Sequence, residues 1–147
     1  MVRIILGIVA GIVLGFIAVM VAQLGVNVIY PAPRQVLDRE LMTEFFRNMP
    51  AMHVMLILIT YLVGGFIGSF VAHRISHSNG AAWVPAVLIA LTAALNVFTY
   101  PHPVWAQVGA IAAPLFGCWL ALRLPAPVPA VQDDDVEEEE AAEATRL

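Results

Sequence analysis

The sequence predicts an all-α integral membrane protein: a four-helix bundle of transmembrane spans, with a short interfacial amphipathic helix between spans one and two. Three observations support this fold class. Of the 147 residues, 61% are hydrophobic and 12% are charged, compared with about 45–50% and about 25% in soluble domains. Four apolar stretches contain no Asp, Glu, Lys or Arg and are about as long as a bilayer-crossing helix. Each stretch also carries small residues at helical spacing, which is typical of helices that pack together in a membrane.

The composition excludes a soluble enzyme and a protein that binds nucleic acid. The single cysteine cannot form an internal disulfide, a CxxC pair or a thiolate metal cage. The charge is uneven along the chain, because residues 125–147 hold eight of the eleven acidic residues. We therefore divide the chain into a membrane domain, residues 1–124, and a tail, residues 125–147.

The four predicted spans cover residues 4–26, 51–72, 83–99 and 104–122. The first span is longer than the roughly 7–15-residue apolar core of a cleaved signal peptide, so we predict that it is retained. The fourth span is the least hydrophobic and contains Gln107 and Pro114. We expect it to insert as a hairpin with the third span, because the connection at residues 100–103 is short and its two prolines end a helix.

The interfacial helix is predicted at residues 36–49. The prolines of residues 30–33 end the first span, and Leu37, Leu41 and Phe45 then follow at four-residue spacing, with charged residues on the opposite face. A helix of this kind is expected to lie in the headgroup region. We interpret it as a lid over the end of the bundle, and a helix that docks a partner is the alternative.

Charge indicates the orientation of the chain. An even number of spans places both termini on one side, and Arg3, Arg74 and Arg123 lie close to span ends on that side. The positive-inside rule therefore predicts that both termini are cytoplasmic. The tail begins with three prolines and continues with an acidic run, so we predict that it is disordered and projects into the cytoplasm. A docking site for a basic partner is the alternative.

Glycines at four-residue steps mark the predicted packing faces of the spans. These positions are Gly7, Gly11 and Gly15 in the first span, Gly64 and Gly68 in the second, and Gly117 in the fourth. Lipid tails are as apolar as leucine, so spans associate through the close packing of small residues. We favour packing within one chain for the glycines of the first span, and homodimerisation is the alternative.

Two primary amides are the most informative polar groups in the spans. Asn96 and Gln107 flank the turn between spans three and four at similar depth, and an amide in lipid is costly without a partner. We predict that both face the bundle interior, where they could bond each other. We favour a role in holding the helices together. The alternative is a small polar site near the outer face, and the candidate binding residues are Asn96, Gln107, His102 and His53.

A group of methionines surrounds His53 in the sequence. Its members are Met42, Met49, Met52 and Met55. Thioethers and imidazole suit Cu(I), and His102 could add a ligand. Methionine is also an ordinary apolar filler, and we favour that interpretation because no repeated methionine motif is present. We therefore predict no metal and no cofactor. We also predict that the chain is not an enzyme, since no nucleophile and base stand beside a third orienting group.

Three sequence motifs resemble those of a known group of membrane proteins. The glycine-rich first span ends in Tyr-Pro-x-Pro at residues 30–33, the second span contains the pair Gly64 and Gly65, and a Pro-His-Pro-x-Trp turn covers residues 101–105. In these features the chain resembles a group of small, uncharacterised bacterial inner-membrane proteins with four spans. The resemblance covers the four spans and not the acidic tail. It implies a multi-pass protein of the bacterial inner (cytoplasmic) membrane, and it implies no activity.

The expected function is that of a non-catalytic inner-membrane protein in contact with the lipid bilayer. We expect an accessory or scaffold subunit that associates through its small-residue helix faces, either with copies of itself or within a larger membrane complex. The spans lack carboxylates and cations, which argues against a proton-coupled pump. The alternative is a transporter or channel for a small neutral solute or a soft metal ion, with a route past Asn96, Gln107 and His102.

Overall fold

The computed structural model describes residues 1–31, 39–100 and 102–124, which form five α-helices. These are α1 (Val2–Ile29), α2 (Arg39–Arg47), α3 (Ala51–Ser76), α4 (Asn79–Thr99) and α5 (Val104–Arg123). All except α2 are long and apolar enough to cross a membrane. The predicted all-α fold, a four-helix membrane bundle with a short helix between spans one and two, is therefore confirmed.

Every transmembrane helix extends beyond its predicted span. The apolar pattern marks only the part of a helix that meets the bilayer core, whereas backbone hydrogen bonding continues into the interface. α4 begins four residues early because Ser78 caps it: its Oγ accepts a hydrogen bond from the backbone N–H of Ala81 at 3.4 Å. α2 begins at Arg39. The first three residues of the predicted interfacial helix and the predicted disordered tail lie outside the described residues.

α3 is the central helix of the bundle. It packs against α1, α4 and α5, and α4 also packs against α1 and α5. Within the described helices, α1 and α5 do not contact each other. The four spans thus form a rhombus in cross-section, with α3 and α4 across its short diagonal and α1 and α5 at its far corners.

The interface between α1 and α3 is built on glycine. Gly7, Gly11 and Gly15 are all buried. A Cβ atom built on Gly7 would lie 2.9 Å from the carbonyl oxygen of Ala72, and one built on Gly15 would lie 3.1 Å from the carbonyl oxygen of Gly64. The two backbones therefore approach as closely as only glycine permits, and the glycine face of α1 is occupied within the chain.

A second glycine interface joins α3 to α5. Gly65 faces the backbone of Pro114, and Gly117 faces the carbonyl oxygen of Leu62. A Cβ atom built on Gly117 would also lie 2.7 Å from the backbone nitrogen of Phe66. α3 therefore uses small residues on two sides, which explains how it can serve as the central helix.

The surface of the bundle is apolar along its length and aromatic near the helix ends. Exposed large side chains include Ile17, Leu24 and Leu91. Near the α3–α4 turn, the guanidinium of Arg74 lies 4.6 Å from the ring centroid of Phe70, and that of Arg123 lies 4.3 Å from the ring of Trp119. Such aromatic and basic side chains are typical of the membrane interface. The fold is that of a multi-pass membrane protein.

Candidate functional site

A cavity of about 210 Å³ lies at one end of the bundle, below α2. We call this end, which includes Tyr30, Ala51 and Thr99, the lid end. The opposite end, which includes Met1, the α3–α4 turn and Arg123, is the terminal end. The polar lining of the cavity consists of amides, imidazoles and one phenol: Gln23, Asn27, His53, Tyr61, Asn96 and His102. The other lining residues are Val26, Met42, Phe45, Phe46, Met49, Ile57 and Val97.

α2 lies across the cavity and is held there by aromatic rings. The ring of Phe46 stacks on Tyr100 with centroids 4.5 Å apart and approaches His102 at 4.9 Å. Phe45 meets His53 edge-on at 5.9 Å. Met42 of the same helix is buried, while the charged side chains of Glu44 and Arg47 are exposed. α2 thus covers this end of the bundle, and its role as a lid, with partner docking as the alternative, stays a prediction.

His53 is buried at the start of α3 and is fixed by its neighbours. Its imidazole stacks on the ring of Tyr30, with centroids 4.7 Å apart and an interplanar angle of 10°. Tyr30 is the residue that follows α1, and its backbone N–H donates to the carbonyl of Val26. The stack thus joins the end of α1 to the start of α3 at the edge of the cavity.

Three polar side chains from three different spans meet at the floor of the cavity. The buried Tyr61 of α3 lies beside the amides of Asn96 in α4 and Gln23 in α1, and all three line the cavity. A buried tyrosine hydroxyl usually needs a hydrogen-bond partner, and these two amides are the groups beside it that can serve. We call Gln23, Tyr61 and Asn96 the polar trio.

The expected bond between Asn96 and Gln107 is not formed. Gln107 Nε2 donates instead to the backbone carbonyl of His102 at 3.1 Å, and Gln107 does not line the cavity. The local bond prevails because His102 is only five residues away along the chain, so no apposition of two helices is needed. Of the four residues predicted for binding, the structure brings His53, Asn96 and His102 to one cavity and leaves Gln107 outside it.

The ring of His102 is oriented by its own turn, because its Nδ1 lies 3.0 Å from the carbonyl oxygen of Tyr100. A carbonyl only accepts, so Nδ1 is the donor in this contact. Nε2 is the ring nitrogen left for a ligand, with which it could form a hydrogen bond or, in the neutral ring, a metal bond.

Two methionines also line the cavity. Met42 and Met49 line it together with His53 and His102, whereas Met52 and Met55 are exposed on α3 and do not. Two thioethers and two imidazoles are soft donors. Among the residues described, no group of three or more His, Cys, Asp and Glu side chains forms a metal cluster, so methionine would be needed to complete a metal site here.

A second cavity, of about 140 Å³, opens between α1 and α4. It shares all three members of the polar trio with the first cavity. Its remaining lining is Phe16, Val19, Met20, Ile89 and Thr92. The polar trio therefore stands between a cavity covered by α2 and a mainly apolar cavity on the side of the bundle. We call these the lid cavity and the lateral cavity.

Tyr61 was not predicted as a site residue from the sequence. Its position gave a reason to expect one, because a tyrosine ten residues into an apolar span needs a hydrogen-bond partner. Gln23 was also not predicted, because it is one of several polar residues in the spans. What the sequence lacks is the rotation of each helix about its axis, and that rotation decides which polar groups meet.

The described lining of both cavities contains no Asp, Glu, Lys or Arg, and the lid cavity also holds the imidazoles of His53 and His102. Amides both donate and accept hydrogen bonds, and aromatic rings offer faces for stacking. The arrangement is suited to recognising a ligand.

Comparison of the chain with protein-family models, with curated proteins and with solved structures finds no match.

Proposed function

We propose that the protein is a non-catalytic accessory subunit of the bacterial inner membrane, which acts by recognition at its lid end. One observation carries this proposal: the polar groups of three spans converge on a cavity below α2 whose described lining holds no Asp, Glu, Lys or Arg. Recognition at such a site needs only hydrogen bonds and apolar contact.

The proposed orientation places the lid end outside the cytoplasm. Arg74 and Arg123 both lie at the terminal end, and the positive-inside rule assigns that end to the cytoplasm. α2 would then lie in the outer headgroup region, with Glu44 and Arg47 exposed to water. We infer that another subunit is recognised through the position of α2, which the ring contacts of Phe46 with Tyr100 and His102 hold.

Co-purification tests the accessory role. A tagged chain is extracted in a mild detergent, alongside the variants Phe46→Ala, which removes two ring contacts of α2, and Glu44→Ala, which shortens an exposed side chain of the same helix. We expect a stoichiometric membrane partner with the wild type and with Glu44→Ala, and its loss with Phe46→Ala. Recovery of the wild type as an isolated monomer would contradict the proposal.

A soft-metal transporter is the second candidate, and the donor set of the lid cavity favours it. Met42, Met49, His53 and His102 line one cavity, and thioether and imidazole ligands suit Cu(I). Competition with a Cu(I) chelator tests binding, with Met49→Leu as the variant and Met52→Leu as its matched control outside the cavity. Weaker binding in Met49→Leu alone would favour this candidate, and equal binding in both variants would dismiss it.

Transport would also need a route past the polar trio. Flux into liposomes should then fall in Asn96→Leu and be retained in Gln107→Leu, because Gln107 lies outside the lid cavity. Unchanged flux in both variants would dismiss Asn96 as part of a route.

A further inference from the structure

We propose that the lid cavity binds a lipid-soluble molecule with an uncharged, hydrogen-bonding head and an apolar tail, which enters from the membrane between α1 and α4. The inference rests on the proposed function in one respect, namely that the lid cavity is a binding site. It adds the chemical class of the ligand and the direction from which it arrives.

The direction from which the ligand enters is inferred from the sides of the lid cavity that other elements cover. At the lid end, α2 lies over the cavity and is held there by the rings of Phe45 and Phe46. On the side, the lateral cavity leads from the polar trio to the gap between α1 and α4. α1 packs chiefly against α3 and less against α4. A ligand from the membrane can thus reach the polar trio without displacement of α2.

The uncharged head follows from the polar lining. An amide has two N–H donors and a carbonyl with two lone pairs. The single hydroxyl of Tyr61, which lies beside Asn96 and Gln23, can occupy only part of that capacity. Asn96 is an exposed residue and lines both cavities. A carbonyl or hydroxyl head would use these donors and acceptors, whereas a charged head beside the polar trio would meet only amides and a phenol.

The apolar tail of the ligand is inferred from the depth of the lateral cavity in the membrane. Asn96 lies three residues before the end of α4 and Gln23 six residues before the end of α1, which places them about 5–9 Å below the lid end. Phe16, at the far edge of the lateral cavity, lies about 20 Å below the end of α1. The lateral cavity therefore runs from the depth of the headgroups into that of the lipid tails, parallel to the helices, as an amphiphile does.

Methionine methyl groups provide a direct readout. Met42 and Met49 line the lid cavity and Met20 lines the lateral cavity, whereas Met52 and Met55 are exposed elsewhere on α3. The full chain, labelled with ¹³C-methyl methionine in lipid nanodiscs, is titrated with four probes and followed by NMR. The probes are monodecanoylglycerol and decylubiquinone, with uncharged heads, decyl phosphate, with a charged head, and glycerol, with no tail.

We expect saturable shifts at Met20 and at Met42 or Met49 with at least one uncharged amphiphile, and none at Met52 and Met55. Decyl phosphate should bind at least about tenfold more weakly, and glycerol should produce no shift. Asn96→Leu should weaken binding about tenfold, while Gln107→Leu, which removes an amide outside the cavities, should bind as the wild type does.

Three results would overturn the inference. They are equal shifts at all methionines, unchanged binding by Asn96→Leu, and shifts produced by glycerol at Met42 and Met49 with Met20 unmoved. The last result would leave the lid cavity as a binding site for a water-soluble molecule, so the proposed function would survive it. Co-purification without added amphiphile tests the proposed function separately.

Discussion

Gly11 of α1 and Gly68 of α3 face each other backbone to backbone. A Cβ atom built on Gly11 would lie 2.5 Å from the carbonyl oxygen of Gly68, and one built on Gly68 would lie 2.8 Å from the carbonyl oxygen of Gly11. Neither obstacle is the end of a flexible side chain, so any added atom must push the two helices apart. At this pair the backbones of α1 and α3 approach each other most closely.

Gly11→Ala is expected to destabilise the bundle. The added methyl would also meet the Cβ atom of Ala72 at 2.8 Å, and overpacking of this kind typically costs about 1–3 kcal/mol. The free energy of unfolding, measured by steric trapping in mixed micelles, should fall by that amount. Gly25→Ala is the matched control on the same helix, because no atom lies within 4 Å of its Cβ position. An equal loss in both variants would refute the assignment.

Tyr61→Phe is expected to weaken the contact among α1, α3 and α4. It removes the hydroxyl that lies beside the amides of Asn96 and Gln23, and interhelical hydrogen bonds in membranes contribute about 0.6 kcal/mol on average. A double-mutant cycle with Asn96→Leu should give a coupling free energy of about that size. The same cycle with Gln107→Leu should be additive, since Gln107 bonds His102. Additivity in both cycles would mean that the polar trio does not act as a unit.

Phe46→Ala is expected to release α2 without unfolding the spans. It removes ring contacts with Tyr100 and His102, and an aromatic pair contributes about 0.5–1.5 kcal/mol beyond its buried area. Backbone amide exchange in α2 should accelerate by roughly tenfold, with little change in α3. Glu44→Ala serves as the control, because its side chain is exposed on the same helix. Unchanged exchange after Phe46→Ala would show that α2 is held by other contacts.

The fold could be predicted because bilayer thickness imposes it. A helix must cross a fixed apolar depth, so an uncharged apolar stretch of sufficient length identifies a span without knowledge of its neighbours. The ends of the helices depend instead on local capping. Ser78 extends α4 beyond the apolar stretch, and a serine in a polar connection does not by itself identify which residue caps the helix.

The candidate site could be predicted only in part. Asn96, His53 and His102 stood out because polar groups near lipid are costly, and the structure brings them to one cavity. The partner of Asn96 could not be predicted, because Tyr61 and Gln23 lie on other helices and meet it only through the rotation of three spans. The lateral cavity has no sequence signature, since it arises where α1 and α4 fail to fill the space between them.

Site-directed labelling tests the central claim most directly: four crossings place α2 and the α3–α4 turn on opposite faces of the membrane. Glu44→Cys in α2 and Asn79→Cys at the start of α4 are treated with a membrane-impermeant maleimide in intact cells. The wild type is the control, because its only thiol, Cys118, is buried and donates to the carbonyl of Ala82. We predict labelling at position 44 in intact cells and at position 79 only after permeabilisation. Labelling of both positions in intact cells would contradict the account.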